Sequence, residues 1–166
     1  MTSALRAACH HLARTVRVAV LGLVAVMLLA LSFQVVMRYV FGQALSWSEE
    51  LALLCFSWSM LLAIALGVRD AIHVRLELLV DSLPPPLRRA MDKLVTLSIA
   101  GIGAFIAWSG QNYVVDSLGA TSAAIGYPTA WLYACAPVCG VLVTLFAFER
   151  LLLGAPPAAP TSAAAS

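Results

Sequence analysis

The stretch 37–58, "MRYVFGQALSWSEELALLCFSW", sets an arginine, a tyrosine, a tryptophan and two adjacent glutamates between long apolar runs. There are 20 uncharged residues between Arg17 and Arg38 on one side and 18 between Glu50 and Arg69 on the other. A helix rises about 1.5 Å per residue, so a run of roughly 20 crosses the roughly 30 Å of bilayer hydrocarbon. Polar residues collected between two such runs are what a helical hairpin needs where it turns at a membrane surface.

Working outward, the gaps between charges continue: 22 uncharged residues lie between Lys93 and Asp116 and 32 between Asp116 and Glu149. The last gap holds one span and a loop, because Gly119, Gly126 and Pro128 break its first dozen residues, and Pro128 is suited to open a helix whose first N–H groups are unpaired anyway. The reading is an all-α integral membrane protein with spans at about 17–40, 48–68, 90–115 and 128–149. Composition excludes a water-soluble domain, since 11% of the 166 residues are charged and 62% are apolar, against about 25% charged in soluble folds. The mean hydropathy of +0.94 agrees. Arg6, Arg14 and Arg17 ahead of the first run resemble a secretory signal. The run exceeds the roughly 7 to 15 residues of a signal core and ends at Met37-Arg38-Tyr39 without a small-residue cleavage site, so it reads as a permanent helix.

Lys and Arg alternate by loop: three before the first span, one in the first connection, five in the second, none in the third and one after the last span. The positive-inside rule then places both termini in the cytoplasm. In the second connection Ile72, Leu76, Leu79, Val80 and Leu83 fall at helical spacing, with His73, Glu77 and Asp81 on another face. This predicts an amphipathic segment lying along the cytoplasmic interface between the second and third spans. Strict alternation from His73 to Leu78 also fits a strand, but an open strand edge beside lipid leaves backbone groups unpaired. The tail 154–166, rich in Ala and Pro, reads as disordered.

Several chemistries are disfavoured. No acidic, basic or His residue falls in the middle of a span, which argues against a self-sufficient ion-coupled carrier. It argues equally against a haem-bearing electron-transfer anchor, which needs axial ligands inside its spans. Cys9, Cys55, Cys135 and Cys139 lack zinc-site spacing and read as small packing residues. Neither a cofactor, a metal nor a nucleic-acid partner is expected. Gly103, Ala107 and Gly110 repeat on one helix face, as do Ala130/Ala134 and Ala136/Gly140, which permits close helix approach within the chain or against a partner.

In the opening stretch, Ser46 three residues before Glu49 has capping-box spacing. Glu49 and Glu50 suit the positive end of a helix dipole, Trp47 suits the membrane interface, and Arg38 is placed to pair with Glu49 or Glu50.

The ordered series Arg38-Tyr39-x-Phe41, Trp47-x-Glu49-Glu50, Trp58, Gly67-x-Arg69 and His73, with Pro128 opening the last span, resembles the small membrane subunit of tripartite ATP-independent periplasmic (TRAP) transporters, the DctQ-like family. The likeness runs from about Arg17 to Arg150. It implies a bacterial inner-membrane complex in which a periplasmic binding protein delivers an organic acid, such as a C4-dicarboxylate, to a large, sodium-coupled DctM-like permease braced by the small subunit. On that resemblance Arg38, Tyr39, Trp47, Glu49, Glu50, Trp58 and His73 are structural or partner-interface positions, and none is catalytic. A reporter enzyme fused after Arg150 is expected to be active only in its cytoplasmic form; activity of a periplasmic reporter at that position would reverse the topology.

Overall fold

The computed structural model describes residues 2–43, 45–70 and 85–153. Among these there are five helices and no strand: α1 Thr2–Val40, α2 Ser46–Arg69, α3 Pro85–Asp116, α4 Ala130–Tyr133 and α5 Cys135–Leu153. Four helical runs are long and apolar enough to cross a membrane, Arg6–Val40, Ser46–Arg69, Ala90–Asp116 and Ala130–Leu152, the last made of α4 and α5 together. The fold is therefore an all-α, four-span membrane protein. The segment 71–84, which carries His73 and the expected amphipathic stretch, and the tail 154–166 lie outside the described residues.

Two features go beyond the charge-gap reading. The first helix does not start at the membrane boundary near Arg17; it is continuous over 39 residues from Thr2. The fourth span is interrupted at Ala134. Pro137 accounts for the interruption, since it has no N–H to give the Tyr133 carbonyl and its ring collides with that carbonyl. At the break, carbonyls accept from side chains: Trp58 Nε1 donates to Trp131 O at 3.0 Å and Cys135 Sγ to Leu132 O at 2.8 Å.

The helices stand in the order α1, α2, α5, α3, each resting mainly on its neighbour. The central pair, α2 and α5, carries most of the core, in which Leu62, Ala65, Leu66, Cys139, Val143 and Phe146 meet Ala13 and Val16 of α1. Two ends can be distinguished. The α1–α2 turn and the α3–α4 connection form the hairpin end; Thr2 and Leu153 mark the terminal end.

The closest packing joins α3 to α5. A Cβ on Gly140 would press on the backbone N of Ala107 and stand 2.6 Å from Gly103 O, and one on Gly103 would stand 2.7 Å from Thr144 Oγ1. On Gly110 it would meet the Pro137 ring at 2.8 Å. Lipid offers helices no hydrophobic reason to associate, so this backbone-to-backbone approach and its dispersion contacts hold α3 in place. Gly140→Ala is expected to destabilise the fold by about 1–3 kcal/mol through overpacking. Gly22→Ala and Gly101→Ala, with nothing within 4 Å of the new methyl, should not lower thermal unfolding in detergent, and the better helix propensity of Ala stabilises by up to about 1 kcal/mol.

Candidate functional site

At the hairpin end the chain builds one polar construction, centred on Glu50 of α2. The α3–α4 connection folds into a narrow loop in which Ser122 N donates to Tyr127 O at 2.9 Å and Thr129 N to Ala120 O at 3.0 Å. Gly119 and Gly126 take positive φ of 95° and 78°, which residues with a Cβ rarely adopt. The loop tip closes on the Glu50 carboxylate. Ala124 N donates to Oε1 at 2.9 Å, while Ile125 N and Ser122 Oγ donate to Oε2 at 2.9 Å and 2.8 Å. Ser122 Oγ in turn accepts from Gly126 N at 3.0 Å. Hydrogen bonds to an ionised carboxylate are roughly twice as strong as neutral ones, so Glu50 clamps the start of α2 to this loop. Burial first, and then the Glu50 charge, push the half-buried Tyr127 phenol above its ordinary value, which keeps it neutral.

The neighbouring glutamate is used differently. Glu49 Oε1 accepts from Gln34 Nε2 of α1 at 2.8 Å, and Trp47 lies 6.3 Å from Phe33 between ring centres, so both tie α2 to α1. The expected capping box is not formed. Leu45 occupies the N-cap without a side-chain bond, Ser46 is already inside the helix, and Ser48 Oγ donates back to Leu45 O at 2.6 Å. The expected Arg38 ion pair is also absent. Arg38 lies a full turn above Gln34, past the start of α2, and both glutamates are engaged elsewhere; among the described residues it has no hydrogen-bond or ionic partner. Beside it Tyr39 is 81% exposed and Phe41 is also exposed, so this corner packs against nothing among the described residues. Trp58 is anchored at the α4–α5 break, as described, and Gly103, Ala107 and Gly110 all face α5.

The terminal end holds two ion pairs. Arg69 Nε lies 3.5 Å from Glu149 Oε2, with side chains only 12% and 8% exposed, and the guanidinium stands over the Phe146 ring at 5.7 Å. Arg17 to Asp70, at 3.0 Å, is much more open at 60% and 38%. In the sequence Arg17, Arg69 and Glu149 stand out only as the ends of uncharged gaps, and nothing marks them as partners. Partners 80 positions apart leave no local signal. Ser122 and Gln34 were missed too, being uncharged residues in stretches read only for their lack of charge.

Each buried charge is paired internally, and among the described residues no group of three or more His, Cys, Asp or Glu could hold a metal ion. A four-span frame with its charges at its two ends is the setting for the comparisons with known proteins. Residues 27–156 match the DctQ component of the tripartite ATP-independent periplasmic transporters. The chain belongs to this family.

Among TRAP relatives, the chain is 29% identical over 141 residues to the sialic acid TRAP transporter small permease protein SiaQ of Vibrio cholerae, covering 80% of each chain. It is 30% identical over 115 residues to the C4-dicarboxylate small permease protein DctQ of Rhodobacter capsulatus, covering 68% of this chain and 50% of that one. It is 31% identical over 116 residues to the sialic acid TRAP transporter permease protein SiaT of Haemophilus influenzae, where 66% of this chain spans 18% of the relative. Membership makes the chain a multi-pass transport component and not an enzyme.

The two ion pairs differ in what their loss should cost. Glu149→Ala strands a buried guanidinium and is expected to cost about 3–5 kcal/mol, whereas Asp70→Ala, at an exposed pair, should cost about 0–1 kcal/mol. Thermal unfolding of the two variants in the same detergent measures the difference.

Proposed function

We propose that this chain is the scaffolding small subunit of a TRAP-type secondary transporter in a bacterial inner membrane, with both termini in the cytoplasm. Its partners are a large DctM-like permease and, through the assembled complex, a periplasmic substrate-binding protein. The complex imports an organic acid, of the C4-dicarboxylate or sialic acid kind, on a sodium gradient. The observation that carries this reading is the placing of charge: the buried carboxylate and the guanidinium it meets are paired at the ends of their helices, and the described spans offer no Asp, Glu, Lys, Arg or His at mid-bilayer for an ion or an organic anion. A bundle so built supports a pathway located elsewhere.

Two further facts favour the reading. In the SiaT relative the matching stretch makes up 18% of a far longer permease, as expected if these helices work beside a larger transport unit. The unpartnered corner of Arg38, Tyr39 and Phe41, flanked by Trp47, is a surface whose residue types suit contact with another subunit. Glu49, Glu50 and Trp58 act in this scheme by shaping the hairpin end that presents the corner.

Co-purification with the large permease is the test. Arg38→Ala and Glu50→Ala are each expected to lower recovery of the two-subunit complex by about tenfold, equivalent to about 1.4 kcal/mol, without changing which solute is taken up. Accumulation of an organic anion by vesicles holding this chain alone, under a sodium gradient, would overturn the proposal.

A further inference from the structure

We infer that the outer groove between α3 and α5 is a phospholipid site of the leaflet at the terminal end, with an acyl chain in the groove and the phosphate at Lys93. The groove has a volume of about 410 Å³. Its floor is Ala104, Ala107 and Thr144, and its walls are Trp108 on α3 and Val141, Leu145 and Phe148 on α5. Thr144 Oγ1 donates to Gly140 O at 2.8 Å, so its hydrogen is committed to the helix backbone and the floor offers an occupant no free donor.

The track leads to a cation. Lys93, Leu97, Ala104 and Trp108 are spaced by four, seven and four residues, which places them in one line along α3. Val141, Leu145, Phe148 and Leu152 form a matching line on α5, and every residue of both rows is exposed. From Lys93 to Ala104 is about 16 Å at 1.5 Å per residue, close to the roughly 15 Å depth of one hydrocarbon leaflet. A chain whose headgroup sits at Lys93 therefore ends in the groove near the bilayer centre. Lys93 is exposed and has no hydrogen-bond or ionic partner among the described residues, and Asp92 is turned about 100° from this line. A cation at the foot of an apolar inter-helix groove is complementary to a lipid phosphate. A helix from another subunit would need an acidic group of its own at this height to use it.

Native mass spectrometry of the full chain in mild detergent, titrated with dioleoyl phosphatidylglycerol, tests the assignment. One lipid should persist at collision energies that strip the rest, and inorganic phosphate should not displace it. Lys93→Gln removes the phosphate contact, while Ala104→Leu fills the groove from an exposed position without touching Gly140. Each should lower occupancy of that lipid by about fivefold, equivalent to about 1 kcal/mol, with unchanged thermal unfolding. Arg14→Gln, a cation of the same end on α1, should have no effect. Unchanged occupancy in both groove variants, or an equal loss in Arg14→Gln, would overturn the site. So would intact lipid binding in Ala104→Leu accompanied by loss of the large permease, which would identify a protein helix as the occupant. None of these results bears on recovery of the complex by the Arg38 and Glu50 variants.

Discussion

The contact of Gly140 with the backbone of Ala107 and Gly103 is the constraint on which the arrangement of the helices rests. Among the described residues helix α3 rests mainly on α5, and in lipid the burial of leucines gives it no reason to stay there. Only an approach close enough to bring one backbone against the other gathers the dispersion contacts that do. Once α3 is fixed along α5, the remainder follows: α5 shares its other side with α2, and α2 carries α1 through Gln34–Glu49 at one end and Arg17–Asp70 at the other.

The charges complete this frame. Glu49, Glu50, Arg69 and Glu149 lie towards helix ends, and each meets a group from another part of the sequence. Glu50 closes the α3–α4 loop, and Glu149 receives Arg69 under the shelter of Phe146. A buried pair of this kind is weak evidence for net stability, because desolvation offsets much of the attraction, but it fixes register, since a misplaced partner leaves an uncompensated charge. Groups committed in this way hold helices together and are not available to a passing ion. That separation of holding from carrying is what a supporting subunit requires.

Much of the architecture was legible in the sequence because hydrocarbon imposes a single length scale. The gaps beginning at Arg17, Glu50, Lys93 and Asp116 announced four spans, and the family signature from Arg38 to Pro128 named their likeness. Local rules did less well where a tertiary partner outbid the local one. Ser46 and Glu49 have the spacing of a capping box, yet Gln34 claims Glu49, and Arg38 stands too far along α1 to reach either glutamate. Pairings such as Arg69 with Glu149 or Ser122 with Glu50 were invisible for a related reason. Nothing in either segment marks its partner until the helices are side by side. Pro137 was visible in the sequence, but its effect on the fourth span was not drawn from it.

The interruption at Ala134 falls between two sets of contacts that the order of the chain does not suggest. Above it, the short helix α4 is pinned to α2 by the Trp58 indole, and the loop leading into α4 is held to α2 by Glu50. Below it, α5 is zipped to α3 on one side and seated on α2 on the other, where Cys139 Sγ donates to Leu61 O at 3.1 Å. The fourth membrane crossing is thus gripped by α2 on both sides of its break, so the second helix splints the proline interruption that would otherwise let the crossing bend.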